Sequence, residues 1–358
     1  MISIDGSHGE GGGQVIRTAL ALSALTGQPF KAFDIRAKRR QPGLKAQHLS
    51  CIKALERLCS AQVVGAELAA TEFSFRPGEV KGKNIPIDIG TAGSVTLLLQ
   101  SCLLPTLFAD EPTRFRIKGG TDTKWAMPID YFSNVFLPHI RRFAEFEFSL
   151  ERRGYYPKGG GSIDLKVRPI HRLSQFPSFT ELVRHLRSGP GFISQDYEVQ
   201  LVKGMSHASS DLQKASVADR QARAAKLRLG GIDAPKEISV GYYDSSSTGS
   251  GLTLWALCSV KGDDVDMMKP IVFGSDTLGE RGKRAEMVGE QAADGLLKVI
   301  SGNATADSHL ADNLIPLLAV AGGSITVSEI TDHTRTNIWV CEKFLPVRFR
   351  IEGNRISC

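Results

Sequence analysis

The stretch Asp5-Gly6-Ser7-His8-Gly9-Glu10-Gly11-Gly12-Gly13-Gln14 gathers at one turn what phosphate chemistry needs. Glycines at a helix N-terminus let backbone N–H groups approach a phosphate, and the helix dipole favours an anion there. The spacing fits neither GxxxxGK[ST] nor GxGxxG, which sets aside the P-loop and the dinucleotide fingerprint. Glu10, at the mouth of the turn, offers a carboxylate to a divalent metal bridging phosphate oxygens. The same glycines would also serve simply to make a tight strand-to-helix turn. A second stretch, residues 36–45, holds five cations (Arg36, Lys38, Arg39, Arg40 and Lys45) and is followed by Gln47-His48. Arginine grips phosphate as a planar fork and lysine as a point charge. Pro42-Gly43 puts these cations on a loop, whose plainer reading is a solvated surface.

Two further stretches carry histidine. His309-Leu310-Ala311-Asp312-Asn313 lies upstream of Thr331-Asp332-His333-Thr334-Arg335-Thr336-Asn337. The second is polar and is expected to precede a strand at Ile338-Trp339-Val340-Cys341. A histidine in a polar turn beside a strand can act as nucleophile, base or ligand. Without further context a lone histidine reads as structural, and no set of His, Cys and carboxylates stands at metal-ligand spacing. Gly119-Gly120-Thr121-Asp122 reads as a tight connection after a strand.

These residues are positioned by a recurring rhythm of small-residue turn, apolar helix and short alternating strand. Helices are expected over residues 14–25, 95–107 and 309–320, and strands over 114–118 and 162–167. The recurrence, at roughly 80 to 100 residues, suggests pseudo-symmetric packing of one α/β unit. Between about Ser178 and Asp276 the texture changes. A break at residues 186–191 comes first, then a helix rich in Ala, Lys and Arg at 212–229, a Ser/Gly-rich loop at 242–251 and a strand at 252–260. This reads as an inserted subdomain of roughly 90 residues, and its basic helix as a solvated surface helix before an RNA-binding one.

The chain has 358 residues, 42% hydrophobic and 23% charged, which is ordinary globular composition with room for two domains. Its net charge of +6 fits a polyanionic partner without demanding one. The six cysteines form no CxxC pair and sit mostly in apolar stretches, the pattern of reduced buried thiols rather than disulfides or zinc. The first residues lack a signal-peptide pattern, and no uncharged run reaches the roughly 18 residues that span a bilayer. A soluble cytoplasmic protein, not membrane-bound, is expected.

Taken together, the chain resembles the RNA 3'-terminal phosphate cyclase family over essentially its whole length. The resemblance rests on Asp5-Gly6 through Gly9-Glu10-Gly11-Gly12-Gly13-Gln14, Ile16-Arg17, Ile35-Arg36-Ala37 and Pro42-Gly43-Leu44 with Gln47-His48. It continues through Gly93-Ser94, Leu99-Gln100, Gly119-Gly120-Thr121-Asp122 and Tyr156-Pro157-Lys158-Gly159-Gly160-Gly161. Leu310-Ala311-Asp312, His333 with Thr336-Asn337, and Phe344-Leu345-Pro346-Val347 complete it. Each piece is weak alone, but their order and separation are specific.

The resemblance implies an α+β fold of repeated βαβαββ units with a small inserted α/β domain. In this chain that corresponds to a core at 1–183 and 276–358 and an insertion at 184–275. It implies ATP as cosubstrate with Mg2+ or Mn2+, and RNA bearing a 3'-phosphate end as partner. His333 would be the nucleophile that becomes adenylylated. Gln100, Tyr131 and the segment His309, Leu310, Ala311, Asp312 and Asn313 would bind the nucleotide. Glu10, Arg17, Arg36, Arg39 and Gln47 would bind metal, ATP phosphates or the RNA end, with Glu10 the metal ligand. The chain departs from the family pattern at Asn313, where Gln is expected, and at Met127-Pro128, where Pro-Pro is expected. Three rivals share parts of the pattern. A non-catalytic ribosome-assembly relative would lack the His333 nucleophile, an enolpyruvyl transferase would be indifferent to RNA, and a plain RNA-binding protein would consume no ATP.

Overall fold

The rhythm of turn, helix and strand becomes a unit of order βαβαββ in the computed structural model, which describes residues 1–189, 191–192, 195–266 and 269–358. The first unit is β1 (Ile2–Asp5), α1 (Gln14–Thr26), β2 (Phe30–Phe33), α2 (Ala46–Cys59), β3 (Gln62–Val64) and β4 (Phe73–Arg76), with strand order β1-β2-β4-β3. The second begins with β5 (Asn84–Asp88), α3 (Val95–Thr106) and β6 (Thr113–Gly119). Short helices α4 (Ile129–Tyr131) and α5 (Leu137–Ile140) flank a π-helical turn, and β7 (Ala144–Arg152) and β8 (Gly161–Pro169) close it in the order β5-β6-β8-β7. In both, the first two strands run parallel and the other pairs antiparallel. A parallel pair needs a crossover, and α1 and α3 supply it.

Helix α6 (Phe179–Ser188) leads out of the second unit. It carries the chain to Ser188, so the break expected at 186–191 begins only at Gly189; Pro190 lies outside the described residues. A four-stranded layer follows: β9 (Tyr197–Ser209), α7 (Val217–Arg228), β10 (Lys236–Tyr243), β11 (Ser250–Val260), β12 (Ile271–Leu278) and α8 (Ala285–Ser301), in sheet order β10-β9-β11-β12. Helix α8 packs on α7, β11 and β12. The helix expected over 212–229 is divided by Ser216, whose φ of 50° ends a 3-10 turn before α7 starts. Two of its cations are matched by acids of α8, Arg220 with Glu286 and Arg228 with Asp294.

The last unit is α9 (Ser308–Ala321), β13 (Ser324–Thr326), α10 (Asp332–Phe344), β14 (Arg350–Glu352) and β15 (Arg355–Ser357). Its leading strand is reduced to a parallel bridge between Ala306 and Val327. The strand expected at Ile338-Trp339-Val340-Cys341 is instead the middle of α10. Thr331 caps that helix through the backbone N–H of Thr334, and Thr334, Asn337, Val340, Cys341 and Phe344 fall on one buried face at helical spacing. Capping and a 3.6-residue period outweigh the strand preference of Ile, Trp and Val.

The fold is therefore α+β, with helices of the three units meeting at its centre. Every residue of α1 from Gln14 to Leu25 is buried, as befits a helix enclosed on all sides. It packs against α2, α3 and α10, while α9 packs against α3 and α10. All six cysteines are free thiols, five of them buried. No helix among the described residues is long and apolar enough to cross a membrane.

A buried ion cluster joins the second unit to the inserted layer. Arg153, 1% exposed, donates to Asp122 at 3.2 Å and to Asp130 at 2.7 Å, and stacks over Tyr243 of β10. His207 of β9 lies 3.4 Å from Asp122 and 3.8 Å from Asp130, with Tyr155 at its other ring nitrogen. Asp122, Asp130 and His207 are close enough to share a cation, a grouping invisible in their sequence spacing. The guanidinium of Arg153 already bonds both carboxylates, so it stands where a metal would act, and the cluster locks two parts of the chain together. Burial, with Arg153 adding to it, pushes His207 down to about 3, so the ring is neutral. Arg153→Met leaves two buried carboxylates without their cation, and a loss of about 3–5 kcal/mol is expected in chemical denaturation. A loss below about 1 kcal/mol, the scale of an exposed pair, would show that the cluster is not a lock.

Candidate active site

The glycine turn between β1 and α1 is shaped by close approach. Gly9 and Gly11 both have φ near +58°, where a side chain is strained. A Cβ on Gly13 would lie 2.2 Å from His48 Nε2 and 3.0 Å from an Arg17 nitrogen, and one on Gly9 would lie 2.6 Å from the Thr336 hydroxyl. The turn is thus pressed between the basic loop and α10. His8 fastens it further by stacking on Trp339 of α10, ring centroids 4.0 Å apart. Gly13 caps α1 with no side chain of its own.

His333 stands in the first turn of α10, its side chain 42% exposed. Its Nε2 is 3.7 Å from Glu10 Oε2, and the same oxygen accepts from Arg39 at 2.8 Å. The turn carrying His333 is held by Asp312 of α9. Asp312 Oδ1 accepts from the hydroxyls of Thr331 at 2.8 Å and Thr334 at 2.6 Å, and its backbone carbonyl accepts from Asn337 at 2.6 Å. Burial pushes the Asp312 carboxyl up, and the two hydroxyls draw it partly back.

A chain of amides then crosses the site. Asn337 Oδ1 accepts from Thr18 and Gln14, and Gln14 Oε1 accepts from Arg17. Arg17 Nε donates to Gln100, whose amide donates to Asn313, which donates in turn to the His309 carbonyl. Asn313, one methylene shorter than the Gln expected there, still reaches Gln100 at 2.8 Å. Gln47 donates to the Ser94 carbonyl at the start of α3.

The site is electropositive. Arg17 is buried, which pushes it down to about 10. His48 accepts the Lys45 N–H at Nδ1. Burial first, then Arg17, Arg36 and Lys45, push His48 down to about 3. Arg36 has φ +58°, and among the described residues its buried Nε has no hydrogen-bond partner. A depressed histidine beside an arginine whose Nε is unmatched marks a place built for an anion, so the residues fit a triphosphate. Glu10 is the carboxylate beside it, and one carboxylate plus substrate phosphates is a usual Mg2+ environment.

Not every expected residue reaches this space with its side chain. Tyr131 is wholly buried, donating to Asp307 at 2.6 Å. Leu310 and Ala311 are core residues, so only their backbone can face a ligand. His309 is half exposed at the start of α9, edge-on to Tyr131. Glu10, Arg17, Arg39, Gln100, Asp312, Asn313 and His333 are linked by the contacts described, whereas Gln47 bonds the start of α3 and Arg36 acts on the others through its charge. Thr331 and Thr334 were missed, although a threonine just ahead of an apolar-periodic segment is a helix-start signal. Asp276 was missed as well, and nothing in its neighbourhood signals it.

An α+β protein that brings a histidine, a carboxylate and an arginine together has groups suited to nucleotidyl or phosphoryl transfer. A family model described as RNA 3'-terminal phosphate cyclase matches residues 8–351. The chain is 43% identical to the RNA 3'-terminal phosphate cyclase of Pyrococcus furiosus over 355 residues, covering 99% of this chain and 96% of that protein. It is 42% identical to that of Archaeoglobus fulgidus, covering 99% of each, and 44% identical to that of Methanosarcina barkeri, covering 98% and 97%. The chain belongs to the RNA 3'-terminal phosphate cyclase family.

The glycine geometry gives a test. Gly13→Ala must displace His48 or Arg17, and a fall in ATP-dependent turnover of about tenfold or more is expected with the fold retained. Turnover equal to wild type would mean that the tight approach at Gly13 has no bearing on the site.

Proposed function

We propose that this chain uses ATP to convert an RNA 3'-phosphate into a 2',3'-cyclic phosphate through a histidine-AMP intermediate. The observation that carries the proposal is the meeting of His333, Glu10 and Arg39 beside the basic pocket. A phosphate monoester does not close readily onto a neighbouring hydroxyl, because oxide is a poor leaving group; adenylylation makes AMP the leaving group. In the first step an imidazole nitrogen of His333 attacks the α-phosphorus of ATP, forming an N–P bond as the bond to pyrophosphate breaks. An oxygen of the RNA 3'-phosphate then takes the adenylyl group, giving RNA(3')pp(5')A and freeing the histidine. Finally the ribose 2'-OH attacks the 3'-phosphorus, loses its proton to solvent and expels AMP, its reach set by proximity.

Arg17, Arg36 and Arg39 bear on the phosphates, and Gln47 on the RNA end. Gln100 and the segment from His309 to Asn313 face the nucleoside, with Tyr131 supporting them from below. Glu10 would hold Mg2+ or Mn2+, and such an ion supplies charge neutralisation to the leaving pyrophosphate. The free thiols fit a cytoplasmic enzyme.

Three end-labelled strands, incubated with ATP and metal and separated on a gel, test the reading. RNA ending in a 3'-phosphate should yield a cyclic end and AMP. DNA ending in a 3'-phosphate lacks the 2'-OH and should stall as DNA-pp-A. RNA ending in a 3'-hydroxyl should not react. Failure of RNA 3'-phosphate to cyclise, or cyclisation that needs no ATP, refutes the proposal.

A further inference from the structure

β12 of the inserted layer runs past the start of α9 and reaches it through alternate residues. Gly274 donates its N–H to Asp307 Oδ2 at 2.8 Å, and a Cβ on Gly274 would meet Tyr131 at 3.0 Å. Two residues on, and so on the same face of the strand, Asp276 comes to 3.7 Å from His309 Nε2. The two carboxylates here differ in what they have to do. Asp307 is fully engaged, accepting from His309 N, Leu310 N, Gly274 N and Tyr131. Asp276 Oδ1 is buried and has no hydrogen-bond partner among the described residues. A buried carboxylate oxygen left unmatched is costly, and the nearest group able to match it is the His309 ring, half of which is open.

We propose that Asp276 is a positioning residue for nucleotide binding: it holds His309 by Nε2–H, so that Nδ1 of the charged ring is presented to ATP as a hydrogen-bond donor. This rests on the reading of His309 as a nucleotide contact. The tautomer logic is simple. With Nε2–H on Asp276, the other nitrogen donates when the ring is protonated and accepts when it is neutral. The nucleotide therefore meets a donor at lower pH and an acceptor at higher pH.

The groups facing His309 support a charged ring. Asp276 comes from β12, Asp307 from the cap of α9, Asp312 from α9 itself, and Tyr131 from α4. The protein packed around the ring works against its charge, but Asp276, Asp307 and Asp312 outweigh it and raise His309 above its ordinary value. Burial in turn pushes Asp276 up to about 6, with His309 drawing it down and Asp307 and Asp122 adding to the rise. The ion pair thus exists from about pH 6 up to the raised pKa of His309, and it is lost as pH climbs through that value. Removing the Asp276 charge should lower the pKa of His309, because an opposite charge at this range favours the charged ring.

The test is ATP binding by calorimetry to the full chain from pH 6 to 9, for wild type, Asp276→Asn and His309→Phe, each first checked by thermal melting. Wild type should lose affinity as pH rises. Asp276→Asn should begin that loss at lower pH and bind about tenfold more weakly at neutral pH, whereas His309→Phe should be weak and flat across the range. Wild-type affinity and pH profile in His309→Phe would sink the nucleotide reading of His309 itself. A weakened His309→Phe together with an unshifted Asp276→Asn would overturn only the role given to Asp276. Should Asp276→Asn fail to fold, imidazole NMR of the wild-type protein decides the matter. The role requires His309 to titrate above its ordinary value with Nε2 protonated in the neutral form, and a ring protonated at Nδ1 overturns it.

Discussion

Asp312 accepts from Thr331 and Thr334 with a single carboxylate oxygen while its backbone carbonyl takes the Asn337 amide, and these three bonds fasten the start of α10 to α9. A hydrogen bond to a charged group contributes about 1.5–3 kcal/mol, and here it restrains the turn between Thr331 and Thr334 that carries His333. Asn337 passes the constraint on, since its Oδ1 takes both Gln14 and Thr18 of α1. Helices from the first and last units, distant in the chain, are thereby fixed around His333. The glycine turn follows from this, because Gly9 has room only for the hydroxyl of Thr336 and His8 has Trp339 to stack on.

Charge sets the second constraint. Arg17, Arg36 and Lys45 crowd His48 and add to the burial that drives it neutral, and Arg39 stands close to Arg36. One carboxylate, Glu10, stands there, shared between Arg39 and His333. Such a pocket is frustrated when empty and relieved by a polyanion, which is preorganisation in the electrostatic sense. Around His309 the charge has the other sign, with Asp276, Asp307 and Asp312 acting on its ring.

Much of this was legible in the sequence because turns and helices are written locally. Gly11-Gly12-Gly13 ahead of an apolar helix, Asp307-Ser308 ahead of another and Thr26-Gly27 behind the first all carry their structural meaning within a few residues. The basic loop was legible as a loop, and the βαβαββ order through the family resemblance. The misreading at 338–341 shows the limit of local preference. Ile, Trp and Val favour strands, but Thr331 caps a helix and the buried face repeats at helical spacing. Contacts made by strand pairing and crossover were not legible at all. Asp122 meets His207 and Asp276 meets His309 only because sheets bring distant segments together. Tyr131, taken as a ligand contact, lies beneath the site because a short helix of the second unit packs on β11 and β12.

The central claim is that the histidine held by Asp312 becomes covalently adenylylated. The most direct measurement is mass spectrometry of the protein after brief exposure to ATP and Mg2+ or Mn2+ without RNA, followed by peptide mapping. The account predicts one AMP adduct, acid-labile and alkali-stable, on the peptide carrying His333 and absent from His333→Ala. An adduct mapped to any other residue, or full adenylylation of His333→Ala, would contradict it.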